Sequence, residues 1–279
     1  MSCRHRALSL PVCLLLLLLV SCTQAELRRR AFTAATGGSS ADKFSSRVAG
    51  GQVSDVKAAP YQVSLQNSYG NHFCGGVIIH DQYVVTAASC LAGLRKSNVK
   101  VVTTTYNDWG LDGWEYAVEE IIPHCHFDQP LYHNDIALIK TKTLFLYDEV
   151  TQNITIAPLE DLVEGEKLTM YGWGSTSAGG DFEWELRQLD LTYVPPSKCN
   201  ATYGGTEDLD LGHLCAVGRL GAGACHGDAG GPLVDSQGRL VGVGNWGVPC
   251  GLGYPDVYGS VAYYLDWINL MMTDAGTAC

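Results

Sequence analysis

The residues able to do chemistry are cysteines, histidines, and a few hydroxyls and acids set among glycines. Cys3, Cys13 and Cys22 lie in the first 25 residues, leaving eight: Cys74, Cys90, Cys125, Cys199, Cys215, Cys225, Cys250 and Cys279. An even set in an oxidising compartment predicts disulfides, and eight cysteines leave about 105 pairings open. No pair of C-x-x-C units occurs, so a thiolate zinc site is not indicated. Asp108, Asp112 and Glu115 lack the paired-ligand spacing of a calcium loop and read as a solvated acidic loop. No metal and no cofactor is therefore expected. His72, His80, His124, His126, His133, His213 and His226 are available as bases near neutral pH. Hydrolysis by an oxygen nucleophile needs such a base and a carboxylate to orient it. Three short segments bear on that chemistry: Thr86-Ala87-Ala88-Ser89-Cys90, Asn134-Asp135-Ile136-Ala137-Leu138, and Gly227-Asp228-Ala229-Gly230-Gly231-Pro232.

The elements that must position these segments are short. Apolar or alternating runs at 61–66, 76–79, 83–86, 99–104, 136–140, 167–171, 189–194, 232–234, 240–244 and 256–258 predict strands of an all-β sandwich or barrel. Val261, Leu265, Ile268 and Met272 fall on one face of a helix beginning near Ser260. The chain has 279 residues, 46% hydrophobic and 17% charged, with 32 glycines and 10 prolines, which suits turn-rich β structure. Its formal charge of -11 argues against nucleic acid as a partner, since that affinity comes from neutralising phosphates.

The N-terminus divides off by composition. Arg4 and Arg6 precede the apolar run Leu10 to Val20, with Thr23 and Ala25 at cleavage spacing, so 1–25 reads as a signal peptide. The run is too short to span a bilayer, and no later stretch is apolar enough to do so. The segment 26–47, with Arg28-Arg29-Arg30 and Gly37-Gly38-Ser39-Ser40, has too few apolar residues to fold and ends on Arg47. It reads as a propeptide before a folded region, 48–279. From Val48 onward there are 11 basic and 27 acidic side chains, a net charge of -16. The expected product is a secreted chain with acceptor sequons at Asn153 and Asn200.

The three segments, together with Arg47-Val48-Ala49-Gly50-Gly51 at the start and Asn245-Trp246-Gly247 late in the chain, resemble the chymotrypsin-like serine proteases from Val48 to about Asn269. That resemblance implies two six-stranded antiparallel β-barrels and a C-terminal α-helix. The family motifs read T-A-A-H-C and G-D-S-G-G-P; here Ser89 stands for the histidine and Ala229 for the serine. Asp135 alone remains of the three catalytic groups. Ala229 offers no nucleophile and Ser89 no base, and losing such a triad costs roughly 10⁶-fold in turnover. His226 is near enough in sequence to replace a base but cannot supply a nucleophile, and reads as a pocket-rim residue.

Other family features are implied to persist. The backbone N–H groups of Gly227 and Ala229 correspond to the oxyanion hole, and Asn245-Trp246-Gly247 to the strand that pairs with substrate backbone. Gly223 sits at the pocket base where trypsin-like members carry Asp, and Asp256 matches a pocket wall, a combination similar to brachyurin-type proteases. Cleavage after Arg47 would free Val48 to pair with Asp228 and order the pocket. The resemblance also implies Cys74–Cys90, Cys199–Cys215 and Cys225–Cys250, leaving Cys125 with Cys279 as an additional pair. The expectation is a secreted pseudoprotease acting as cofactor, decoy or regulator in an extracellular protease cascade, immune or reproductive. Its expected partners are active proteases, inhibitors or peptides, with no nucleic acid and no membrane. A residually active or unconventional serine endopeptidase, and a structural glycoprotein with a degenerate cleft, are the alternative readings.

Overall fold

The computed structural model describes residues 48–103, 113–205 and 209–273. The leader, the 26–47 segment with Arg47, and Asp108, Asp112 and Cys279 lie outside the described residues.

The first barrel contains β2 (Gln62–Gln66), β3 (His72–His80), β4 (Tyr83–Thr86), β5 (Lys100–Thr103), β6 (Glu115–Pro123) and β7 (Ala137–Thr141). It closes in the order β2-β3-β4-β7-β6-β5 through antiparallel pairing of β5 with β2. The second contains β8 (Lys167–Gly172), β9 (Arg187–Val194), β10 (His213–Val217), β11 (Pro232–Val234), β12 (Leu240–Trp246) and β13 (Asp256–Ser260). Its order is β9-β10-β13-β12-β11-β8, closed by β8 against β9, and the two-residue β1 (Gln52–Val53) adds to β9. Two closed six-stranded antiparallel barrels therefore carry the chain, with short helices α1 (Pro196–Thr202) and α2 (Leu265–Met272).

Alternation along each strand decides what it packs against. Val84 and Ile139 point into the first barrel beside Val63, Leu65 and Val101. Their neighbours Tyr83, Val85 and Leu138 point outward into a second cluster that includes Val234, Leu240 and Val243 from the other barrel. Strands buried on both faces lose the polar half of their pattern. This is why 83–86 and 136–140 read as continuous apolar runs. At about 25 cal/mol per Å² of apolar surface, the shared cluster is what keeps the barrels in register at the site between them.

Three strands escape the sequence pattern. In β6 only Tyr116 and Val118 are fully buried, and Glu115, Glu119 and Glu120 face water, so acids mask the alternation. β10 opens on buried His213, and β1 is too short to show a period. The C-terminal helix corrects the expectation. Residues 261–264 form a turn and the helix begins at Leu265. The stripe facing the core is Val261, Tyr264, Ile268 and Met271, while Leu265 is 36% exposed and Met272 is only partly covered. With barely two turns of helix, the preceding turn sets the buried face, one residue away from the regular spacing.

Candidate functional site

The candidate site is assembled from loops of both barrels. Ser89 follows β4 and Asp135 precedes β7, two strands paired side by side in the first barrel. The Ser89 backbone N–H donates to Asp135 Oδ1 at 2.7 Å and the Ser89 hydroxyl donates to Oδ2 at 2.8 Å. Asp135 is buried, and burial raises its pKa, opposed by these two hydrogen bonds. Its inner position is thus occupied by a hydroxyl that can hold the carboxylate but cannot relay a proton as an imidazole does.

The 225–231 turn belongs to the second barrel but is fastened to the first. Gly75 N–H donates to the Ala229 carbonyl at 2.8 Å, and Thr86 Oγ1 donates to the Gly75 carbonyl at 2.8 Å. Gly230, at a φ of 75°, leaves no room for a side chain: a Cβ there would stand 2.2 Å from Thr86 Oγ1. The N–H groups of Gly227 and Ala229 are spent on no hydrogen bond among the described residues. They form a pair of unspent backbone donors beside the Ala229 methyl, an arrangement that can receive a carbonyl or an anion.

Two buried residues brace this turn. Asp228 Oδ1 accepts from Gly174 N–H and Oδ2 from Cys225 N–H, both at 2.9 Å. A Cβ at Gly172 or Gly174 would lie within 2.4 Å of that carboxylate, so the Gly-Trp-Gly run admits it by lacking side chains. Burial pushes the Asp228 pKa up to about 7. His72 is the second brace. Its Nε2 meets the Gly227 carbonyl at 3.0 Å and its Nδ1 the Ser64 hydroxyl at 2.8 Å. A carbonyl only accepts, so Nε2 carries the proton and the serine hydroxyl donates to Nδ1. Burial lowers the His72 pKa to about 4, keeping the ring neutral. The sequence offered His72 merely as one of seven candidate bases. Its position on the strand paired with Ser64's strand is the signal that it is a buried structural imidazole.

Below the turn lies a cavity of about 340 Å³ whose lining includes His226, Gly227, Ala229, Trp246 and Asp256. Asn245 and Gly247 line it as well. His226 is solvent-exposed at the rim, as its sequence position suggested. Asp256 Oδ2 accepts from Ala224 N–H at 2.7 Å, and burial, with Asp228 nearby, pushes its pKa up to about 7. Gly223 sits behind that carboxylate, where a Cβ would stand 3.1 Å from Asp256 Oδ2. The pocket's negative charge is therefore delivered from the wall, and the wall carboxylate occupies the space a base residue would need.

Residues not foreseen extend the cleft. The Trp246 ring lies 5.5 Å from Tyr132 and 5.2 Å from Tyr203, and His213 reaches it from behind at 6.3 Å. Tyr132 and Tyr254 are each more than 40% exposed, leaving an aromatic shelf beside the pocket. Behind it, Asp210 receives His213 Nδ1 at 2.8 Å and His133 Nδ1 at 3.1 Å. These aromatics are scattered over 120 residues and carry no period that would group them.

The bridges Cys74–Cys90, Cys199–Cys215 and Cys225–Cys250 are all formed. Cys125 is also disulfide-bonded, with a partner outside the described residues. The His124, Cys125 and His126 ligand atoms lie within 4.8 Å of one another, but the bridge removes the thiolate from that set. Glu115 pairs with Lys100 at 2.9 Å. Asn153 is exposed, while Asn200 is half-buried in α1 with its Oδ1 shut away from solvent.

Two barrels meeting at a glycine-rich turn, with a carboxylate and a walled pocket across it, define the chymotrypsin-like class of fold. The family model described as "Trypsin" matches residues 48–268. Similar proteins include "Trypsin alpha-4" of Lucilia cuprina, 35% identical over 80% of this chain and 86% of that protein. "Trypsin epsilon" of Drosophila erecta is 36% identical over 80% of this chain and 86% of its own length. "Trypsin I-P1" of Gallus gallus is 33% identical over 83% of this chain and 92% of its own. The chain belongs to the trypsin family.

Proposed function

We propose that this chain is a secreted, non-catalytic member of the trypsin family whose cleft binds an extended segment of an extracellular protein, with a basic side chain in the Asp256 pocket. The observation that carries the reading is the pairing of Ser89 with Asp135 opposite Ala229. The two groups that make and break bonds are replaced, while the turn donors, the pocket and its carboxylate stay built. Loss of nucleophile and base together removes about 8 kcal/mol of transition-state stabilisation at 1.36 kcal/mol per decade over six decades. Binding draws on other groups: the unspent N–H pair, the 245–247 edge and the aromatic shelf, which suit strand addition by a peptide. Such a protein acts as cofactor, decoy or regulator toward proteases and their inhibitors. No helix among the described residues is long and apolar enough to cross a membrane.

The test has two arms. Turnover of Lys/Arg peptide amides and esters by the native protein is expected to stay at background, although the relatives are named trypsins; clear hydrolysis, lost in Ser89→Ala, would instead make it an unconventional hydrolase. Calorimetry with peptides carrying one Lys or Arg is expected to show cleft binding that Asp256→Asn abolishes, and absence of binding would sink the proposal.

A further inference from the structure

Two buried histidines and a carboxylate lie under the aromatic shelf, and the binding surface described above uses none of them. His213 opens β10 and His133 comes from the loop before β7. Asp210 stands between them, with Oδ1 2.8 Å from His213 Nδ1 and Oδ2 3.1 Å from His133 Nδ1. On the other side of its ring, His213 Nε2 meets the Tyr132 carbonyl at 3.2 Å. A carboxylate and a carbonyl only accept, so holding both at once takes a proton on each ring nitrogen. A neutral ring has one proton. It must give up either the Tyr132 carbonyl or the carboxylate, in the second case leaving Nδ1 to accept from the Asp210 N–H at 3.2 Å.

The Tyr132 carbonyl belongs to a residue with a φ of 69°, a left-handed backbone that tyrosine rarely takes. The indole N–H of Trp246 is buried and meets no acceptor among the described residues, so contacts with the rings of Tyr132, Tyr203 and His213 position it. The titratable groups around His213 are Asp210, His133 and Asp135, with Tyr264 beside both acids. β13 brings Gly259 opposite His213, and β12 brings Trp246. Burial alone would raise the Asp210 pKa, but the His213 hydrogen bond brings it below the usual carboxylate range, so Asp210 stays ionised. Burial raises the Tyr264 pKa, so its hydroxyl stays neutral. Histidine is the side chain whose charge changes between about pH 5 and 8. Resting on the binding reading, we propose that His213, His133 and Asp210 form a proton-operated clamp: a charged His213 ties the Tyr132 backbone to Asp210 and sets the Tyr132–Trp246 shelf to receive an aromatic side chain of the bound segment. Raising the pH releases one end of the clamp and weakens that subsite. The Asp256 pocket answers in the opposite sense, because it must ionise to hold a cation. Acid therefore favours an aromatic anchor and neutrality a basic one.

The test uses two peptides, acetyl-Trp-Gly-Gly-Arg amide and acetyl-Gly-Gly-Gly-Arg amide, whose affinity ratio cancels the Asp256 pocket. Calorimetry should show the advantage of the tryptophan peptide to be about fivefold larger at pH 5.5 than at pH 8, the scale of one hydrogen bond. That gain should vanish in His213→Gln. A second readout needs no ligand: the fluorine signal of 5-fluorotryptophan at position 246, assigned with Trp246→Phe, should move between pH 5 and 8 with the same midpoint as the carbon signal of His213 in wild type. A Trp246 signal constant over that range, a peptide ratio independent of pH, or a step that survives in His213→Gln and is lost in Asp135→Asn would overturn the clamp. If neither peptide binds, the binding function fails while the paired titration of His213 and Trp246 still decides this inference.

Discussion

The Ser89 hydroxyl donates a hydrogen bond to one oxygen of the buried Asp135 carboxylate. Replacing it by alanine leaves Asp135 Oδ2 without that donor, which costs about 2 kcal/mol for a hydrogen bond to a charged group. Because burial already raises the Asp135 pKa, losing the donor raises it further, so the cost is felt where the carboxyl must ionise. Urea unfolding of Ser89→Ala should therefore show a larger loss at pH 8 than at pH 5; equal losses would mean the bond is made to water in practice. Asp256 permits a second prediction of the same kind. A cation in the pocket needs Asp256 ionised, and its pKa lies at about 7. Benzamidine affinity should rise with pH up to about 7 and then level, and the Asp256→Asn variant should show neither the affinity nor the slope. Accessibility separates the sequons: the exposed Asn153 amide should be glycosylated and the half-buried Asn200 amide should not, as deglycosylation with peptide mapping will read.

Strands place these residues, and the tightest placement is where the 225–231 turn of one barrel meets β3 and β4 of the other. Gly230→Ala sets a methyl against Thr86 Oγ1 and the Gly75 carbonyl in a left-handed conformation, a steric conflict with backbone on one side. It should destabilise the chain by about 3 kcal/mol, within the range of overpacking plus backbone strain. Calorimetric melting would check this, and an unchanged midpoint would mean the turn is free of the first barrel. The runs at 83–86 and 232–234 coincide with β4 and β11 because burial on both faces leaves nothing polar to blur their ends. β6 was hidden because its outer face carries glutamates, and the helix face was misplaced by one residue because a turn, not the helix, delivers Tyr264 to the core. The site residues were legible because the chemistry sits in contiguous motifs: Ser89, Asp135, Ala229, Asn245 and Asp256 were each named. The roles of His72, Tyr132 and Tyr203 were not, since they follow only from contacts between distant strands.

The whole molecule joins two electrostatic features that act in the same direction. From Val48 onward it carries a net charge of -16, so self-repulsion grows as pH rises. It also buries Asp228 and Asp256, each with a pKa raised by burial to about 7 from 3.8. A carboxyl whose folded pKa lies above its unfolded value binds its proton more tightly when folded. Its stabilising contribution is complete below the unfolded value and is lost as pH climbs through the folded one. The window here is therefore about pH 4 to 7, and three units at 1.36 kcal/mol each give roughly 4 kcal/mol per group as an upper scale, less because the two carboxyls interact. Asp210 works the other way: burial alone would raise its pKa, but the hydrogen bond and charge of His213 bring it below the usual carboxylate range. Its contribution is lost only in stronger acid. The protein should accordingly be most stable on the acid side of neutrality, with its urea midpoint falling from about pH 5 to pH 8. Salt separates the two causes, because at high ionic strength surface repulsion is screened while the buried carboxyls are hardly touched. A decline that persists in 0.5 M salt (roughly a 4 Å screening length) and shrinks in Asp256→Asn assigns it to the pocket. A midpoint that rises with pH under those conditions would mean that the backbone N–H donors of Gly174, Cys225 and Ala224 outweigh burial and hold the two carboxyls ionised.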